Sequence, residues 1–313
     1  MHKYVLIVLF SLLIQAAIAQ NRTVTDKYID PSLTIQPKVG YSLSKTTFNI
    51  AGNEKGTNPN VYSELIWEPN NNIEYGVEAT FSSTLYFLKA DLLLNNTLSG
   101  NVSDIDYDED NRTAPFSELY LSNHKGNGYS VKFQPGLYLA RSSKVDFVTY
   151  ISFEYSAKRL YLMNGKDWSS SHAEYIKGLK SYYQYKFPNY GLGGQLNLKL
   201  SPQWSASFNI EGYIAKYYAY GNWNLITDFE KPISYEHKGN GMRIHSNLGL
   251  SYSLSPSTSI GMNYNLNHFG IMNGKDYVYS KSKGVLTTRL NDANEMKHTF
   301  LIGIKQNFSL LTH

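Results

Sequence analysis

From Trp204 the chain reads WSASFNIEGYI, and the apolar beat falls on every second residue. Trp204, Ala206, Phe208, Ile210 and Ile214 share one side; Ser205, Ser207, Asn209 and Glu211 share the other. This period of two predicts a strand with one greasy and one polar face. The beat returns at STSIGMNYNLN, with Ile260, Met262, Tyr264 and Leu266 against Gly261, Asn263, Asn265 and Asn267. It returns again at RIHSNLGLSYSL, where Ile244, Leu248, Leu250, Tyr252 and Leu254 align. A soluble sandwich would turn many charges outward on its polar faces. Here those faces are Gly, Asn and Ser, as suits a barrel lumen, and the apolar faces are large enough to meet lipid.

The punctuation between strands supports a closed, up-and-down antiparallel barrel. KLSPQWS and SLSPSTS repeat a Leu-Ser-Pro turn, at Pro202 and Pro256, and ARSSKVD marks a comparable turn at Ser142. Each leg between turns is longer than the roughly 9–11 residues that a tilted strand needs to cross a membrane, so the barrel should rise above the bilayer. About ten strands are predicted, over 33–50, 60–82, 85–107, 115–140, 145–166, 174–200, 204–226, 233–254, 259–283 and 296–308. The polar stretches at 52–58, 108–114, 167–173, 227–232 and 284–295 read as extracellular loops, and the short turns as periplasmic ones.

The first residues change the compartment. YVLIVLFSLLIQAAIAQ follows Lys3 and ends in the small-x-small pattern Ala17-Ile18-Ala19, which reads as a secretory signal peptide over 1–19 followed by a single barrel domain over 20–313. Nothing later has the roughly 18–20 apolar residues of a membrane helix. The mature chain has no cysteine, so its stability must come from a large fold rather than from disulfides. The 27 Tyr of the full sequence, all but Tyr4 in the mature part, suit a bilayer interface, where a ring with a polar tip is favoured. A net charge of +4, spread evenly, gives no basic run that would call for nucleic acid. Together these point to the outer membrane of a Gram-negative bacterium.

Candidate chemistry gathers in SGNVSDIDYDED, where Asp104 and Asp106 stand at i and i+2 and so point the same way along a strand. Three readings are open: a solvated loop, a weak calcium site that lacks EF-hand spacing and its turn glycine, or a lumen-facing carboxylate pair. His124, His172, His237, His245, His268 and His298 show no metal-ligand spacing, so no metal is expected.

Four stretches resemble the omptins, a family of ten-stranded outer-membrane endoproteases: VYSELIW at Val61–Trp67, GNVSDIDY at Gly100–Tyr107, YYQYKFPNYGLGGQ at Tyr182–Gln195, and ISYEHKGNGMRIHSNLGLSYSLSP at Ile233–Pro256. The resemblance implies a water held between an aspartate pair on one wall and an Asp-His pair on the other, at the extracellular mouth. Asp104 and Asp106 match the first pair residue by residue. The second is missing: AKYYAYGNWNLITDFEKPISY, Ala215–Tyr235, has no histidine. Tyr220 and Asn222 fall at its positions in one alignment, Asn224 and Ile226 in another, and Asp228 with a shifted loop. Tyr220, Asn222, Asn224 and Asp228 are therefore expected to line the lumen opposite the aspartates, with His172 or His237 as the nearest substitute imidazoles.

Two functions follow. One is a cell-surface, omptin-like barrel that has lost proteolysis and binds a peptide or a host-surface ligand at its extracellular rim. The alternative is an active aspartic-type endopeptidase that has moved its proton acceptor. A diffusion pore fits less well, since porins use more strands and a long constricting loop. No cofactor is expected. Lipopolysaccharide is implied by the resemblance as a bound lipid, with Lys158, Arg159 and Lys186 on the corresponding strands.

Overall fold

The computed structural model describes residues 30–167 and 174–310; the signal-peptide segment and His172 lie outside the described residues. The described chain is almost entirely strand. The strands are β1 (Ser32–Ile50), β2 (Ser63–Ser82), β3 (Tyr86–Glu109), β4 (Thr113–Ser122), β5 (Asn127–Arg141), β6 (Val145–Asp167), β7 (Glu174–Tyr175), β8 (Lys180–Lys199), β9 (Trp204–Asn222), β10 (Tyr235–Ser253), β11 (Thr258–Ser280) and β12 (Gly284–Ser309). All pair antiparallel. The ring closes where β1 meets β12, from Ser32 against Ser309 to Ile50 against Leu290.

The twelve strands make ten walls, because β4 and β5 form one leg and β7 and β8 another. The first of these legs breaks at Asn123–Gly126. The buried Asn123 side chain holds the break, donating to Asn70 Oδ1 at 2.9 Å and accepting from the Tyr161 amide at 3.0 Å. The last wall departs from the sequence expectation. Residues 284–295 are strand rather than loop, since their Asn and Asp side chains pair across β12 and its neighbours above the membrane. Only Lys281–Lys283 turn the chain there, with Gly284 at φ +73°.

The large exposed apolar side chains concentrate in the half of the barrel nearest the short turns. Val39, Tyr41 and Leu43 on β1, Phe208, Ile210 and Ile214 on β9, Ile244 and Leu248 on β10, and Phe300, Ile302 and Ile304 on β12 all face outward. An apolar belt around a closed ring, in which every ladder hydrogen bond has a partner, is the arrangement a bilayer accepts. Beyond the belt, the outer wall of β8–β10 carries Gln184, Lys186, Lys216, Glu236 and Lys238, so the far half stands clear of the membrane.

The interior changes character at the same height. In the far half a dry cluster fills the lumen, with Phe48, Leu65, Trp67, Leu160, Tyr183, Tyr235 and Leu290 among its members. Trp67 stacks on Tyr183 with ring centroids 5.6 Å apart. In the belt half the inward residues are mostly polar and charged, around ion pairs such as Lys132 with Glu211 at 3.2 Å, beside a small cluster of Phe87, Val148 and Tyr150.

Candidate functional site

Alternation alone would not bring Asp104 and Asp106 into the lumen. On the lower part of β3, Leu88 and Leu92 face lipid, and the aspartates share their parity. Between Thr97, paired with Asn72, and Ser99, paired with Asn71, the residue Leu98 is left unpaired. This bulge shifts the alternation by one. Leu98 turns outward, while Val102 and Asp104 become buried inside. A second bulge does the same on β11, where Met272 is skipped between Ile271, paired with Gly241, and Asn273, paired with Asn240. Beyond it Asp276 points inward and is 1% exposed.

The imidazole in this part of the lumen comes from β10. His237 follows the unbroken parity of Arg243 and His245 and faces inward. Its Nε2 lies 3.2 Å from Asp276 Oδ1, and its Nδ1 is 2.8 Å from the Tyr183 hydroxyl, which also shares a 2.6 Å hydrogen bond with Tyr217. Phe48 meets the imidazole edge-on at 4.6 Å and Tyr235 lies 5.2 Å away, leaving His237 1% exposed. Gly221 makes room for Tyr235: an added Cβ would fall onto that ring.

Charge is disfavoured on the acid side of this chamber. Burial, reinforced by neighbouring Asp106, holds the Asp104 carboxyl well above the usual aspartate range. Burial also raises Asp106, against a hydrogen bond from Ser63 that lowers it. The Tyr235 phenol is pushed well up by burial and then by the charges of Asp104 and Asp276. Two buried atoms here have no polar partner, Asp104 Oδ1 and Tyr235 Oη, whereas His237 Nε2 and Asp276 Oδ1 face each other at 3.2 Å without hydrogen-bond geometry.

The other expected lumen residues lie elsewhere. Tyr220 and Asn222 have the parity of the lipid-facing Phe208, Ile210 and Ile214, and no bulge interrupts β9 where it pairs with β10. They are on the outer wall, where Tyr220 donates to Gln184 Oε1 at 2.9 Å and Asn222 to the Pro232 carbonyl at 2.8 Å. Asn224 caps the start of β8, accepting from the Lys180 amide and the Ser181 hydroxyl at 2.9 and 3.0 Å. Asp228 clamps the β11–β12 turn, accepting from Ser280 Oγ at 2.6 Å and the Ser282 amide at 3.1 Å. These are loop-building bonds, so none of the four stands opposite the aspartates. Lys158 also differs from expectation: it faces inward, 3.3 Å from Glu295. Arg159 and Lys186 do face outward, over the rings of Tyr182 and Tyr218 at 4.5 and 4.8 Å. Asp276, which the sequence reading did not single out, is the residue that pairs with the imidazole.

Comparison with known proteins places this barrel. The model of the Pom family, Protochlamydia outer membrane protein, matches residues 45–308. The chain belongs to that family. It is a bacterial outer-membrane β-barrel. Among solved structures it is similar to the outer membrane protease OmpT from Escherichia coli, with a TM-score of 0.74 at 12% identity, covering 91% of this chain and 100% of that one. Neisserial surface protein A (9% identity, TM-score 0.33, 88% and 97% covered) and Ail of Yersinia pestis (8% identity, TM-score 0.30, 90% and 100% covered) are more distant. No curated protein matches by sequence. The Pom member thus shares the OmpT fold; membership of the omptins themselves does not follow from it.

Proposed function

We propose that this Pom barrel presents its far end to the outside of the cell and binds a basic peptide segment there without cleaving it. The carrying observation is the state of His237. A general base must reach the water it activates, yet this imidazole is sealed beneath Phe48 and Tyr235 and held between Tyr183 and Asp276. One patch of the rim is acidic and aromatic, while Lys281 and Lys283 stand exposed elsewhere on it. Asp108, Glu109 and Asp110 are exposed beside Tyr62 and Phe116, whose rings lie 5.9 Å apart. Carboxylates beside aromatic faces suit Lys or Arg side chains through ion pairing and cation–π contact. The short turns at the other end support a periplasmic assignment for it. Arg159 and Lys186, above the apolar belt, would contact the phosphates of lipopolysaccharide.

The test uses folded protein in lipopolysaccharide, titrated with peptides carrying paired basic residues. Saturable binding without cleavage is expected, weakened by Asp108→Asn combined with Glu109→Gln. Turnover would overturn the binding-only reading. Hydrolysis is the second reading, and what favours it is that Asp104 Oδ1 and Tyr235 Oη are buried without partners in the same chamber as the His237–Asp276 pair, where they could hold one water. If it is right, Asp276→Asn and His237→Gln each abolish cleavage while the unboiled protein keeps its fast gel mobility.

A further inference from the structure

Below the aromatic plug the lumen holds a cavity of about 450 Å³. Tyr185, Phe187 and Phe269 line its upper part, with Phe187 stacked on Phe269 at 4.8 Å. At the level of the short turns its walls are the small side chains of Thr34, Thr80, Ser205 and Ser251 on one side and Phe87, Tyr138 and Val148 on the other. The chamber is therefore a cup, closed toward the far end and approached from the turns.

The charges on its wall do not balance. Seven lysine or arginine side chains line it against five acids, and the acids are already engaged. Lys132 lies 3.4 Å from Glu154 and 3.2 Å from Glu211, Lys158 lies 3.3 Å from Glu295, and Arg243 bonds Glu154. Lys38 lies 2.8 Å from Asp91 and 3.7 Å from Glu78. Lys297 is taken by Glu74 at 2.8 Å. Among the described residues the two remaining lysines, Lys89 on β3 and Lys305 on β12, make no ion pair within 4 Å; Glu78 on β2, between them and already 3.7 Å from Lys38, is the one acid whose charge both feel. Between their strands, Gln36 on β1 is 3% exposed, and its amide nitrogen has no hydrogen-bond partner. Gln36 and Lys305 converge over Gly261, where an added Cβ would lie 3.5 Å from the one and 3.3 Å from the other.

Hydrogen-bond capacity is also left over elsewhere on the wall. The amide oxygens of Asn95 and Asn209 line the chamber and are buried without partners. An unfilled amide donor beside two lysines that share Glu78 with Lys38 calls for an oxyanion, and unfilled acceptors call for hydroxyl donors. We propose that the cup binds a small solute that joins an oxyanion to a hydroxyl-bearing body, of the sugar-phosphate class. Its phosphate sits between Lys89 and Lys305 with Gln36 donating, and its hydroxyls donate to Asn95 and Asn209. This binding is independent of the peptide reading at the rim.

The experiment titrates the full folded chain in detergent with glucose 6-phosphate by calorimetry, with inorganic phosphate and glucose as parallel arms. One-to-one binding of glucose 6-phosphate is expected, tighter than either fragment. The double change Lys89→Gln and Lys305→Gln should weaken it about tenfold or more, the scale of a lost charge-assisted contact. Asn209→Ala should weaken it less and leave phosphate binding unchanged. Fast unboiled mobility confirms that each variant is folded. Absence of binding by the unaltered chain overturns the proposal, as does an affinity that the lysine changes do not move. Phosphate binding as tightly as glucose 6-phosphate overturns the hydroxyl half of it.

Discussion

The two halves of the lumen solve one problem in opposite ways. Every inward side chain of a closed barrel must be packed or solvated, because the ring hides it from lipid. The far half packs: Trp67, Tyr183, Phe48 and Tyr235 interlock into a dry plug around one imidazole. The belt half solvates and pairs charges: Lys132, Glu154, Glu211 and Arg243 share a network beside a cavity. The contrast teaches that the sealed half and the receptive half are not where the omptin resemblance puts them. The chamber around the aspartates is the closed one, and the space lies on the membrane side of it.

Hollowing the plug should have the largest effect. Trp67 is fully buried, so Trp67→Ala should cost about 3–5 kcal/mol in denaturant unfolding. A loss below about 1 kcal/mol would mean the far half is as wet as the other. Removing a charge from the network should cost less than emptying the plug. Lys132→Met strips a partner from Glu154 and Glu211, and about 2 kcal/mol is expected, short of the roughly 3–5 of a dry pair, because the adjoining cavity admits water. A cost equal to that of Trp67→Ala would place the network in a dry interior too.

A finer difference appears with pH. Asp104 has its folded pKa raised above the unfolded value, so the native state binds its proton more tightly than the unfolded chain does. Its contribution is most favourable below the ordinary aspartate pKa and is lost as pH rises through the raised one. Asp104→Asn should accordingly be more stable than the unaltered chain at neutral pH and converge with it in acid. Urea midpoints measured across pH would show this; a variant gap that widens toward acid would contradict the burial of that carboxylate.

Much of the fold was legible because alternation is local: the lipid faces at Phe208, Ile210, Ile244 and Leu248 follow from parity alone. The site was legible only where parity was carried along the strand. Tyr220 and Asn222 share the parity of Phe208, and counting from it would have set them outside. His237 could have been set inside by counting from Leu248. Asp104 and Asp276 could not be placed this way, since each depends on a bulge, at Leu98 and Met272, that no composition signal marks. The strand over 284–295 was hidden for another reason. Above the membrane a β-barrel wall has no lipid to face, so its outer residues can be as polar as a loop.

The closure of β1 on β12 sets a limit on how the molecule comes into being. Ser32 pairs with Ser309, contacts that span almost the whole described chain. Until the last strand is in place, both β1 and β12 offer unpaired edges that a second copy could capture. Pairing between the most distant parts of a chain is slow, because the loop entropy is lost before the contacts form. The apolar faces of ten walls therefore wait on one late seam, and the period before it closes is when this protein is most exposed to mis-pairing.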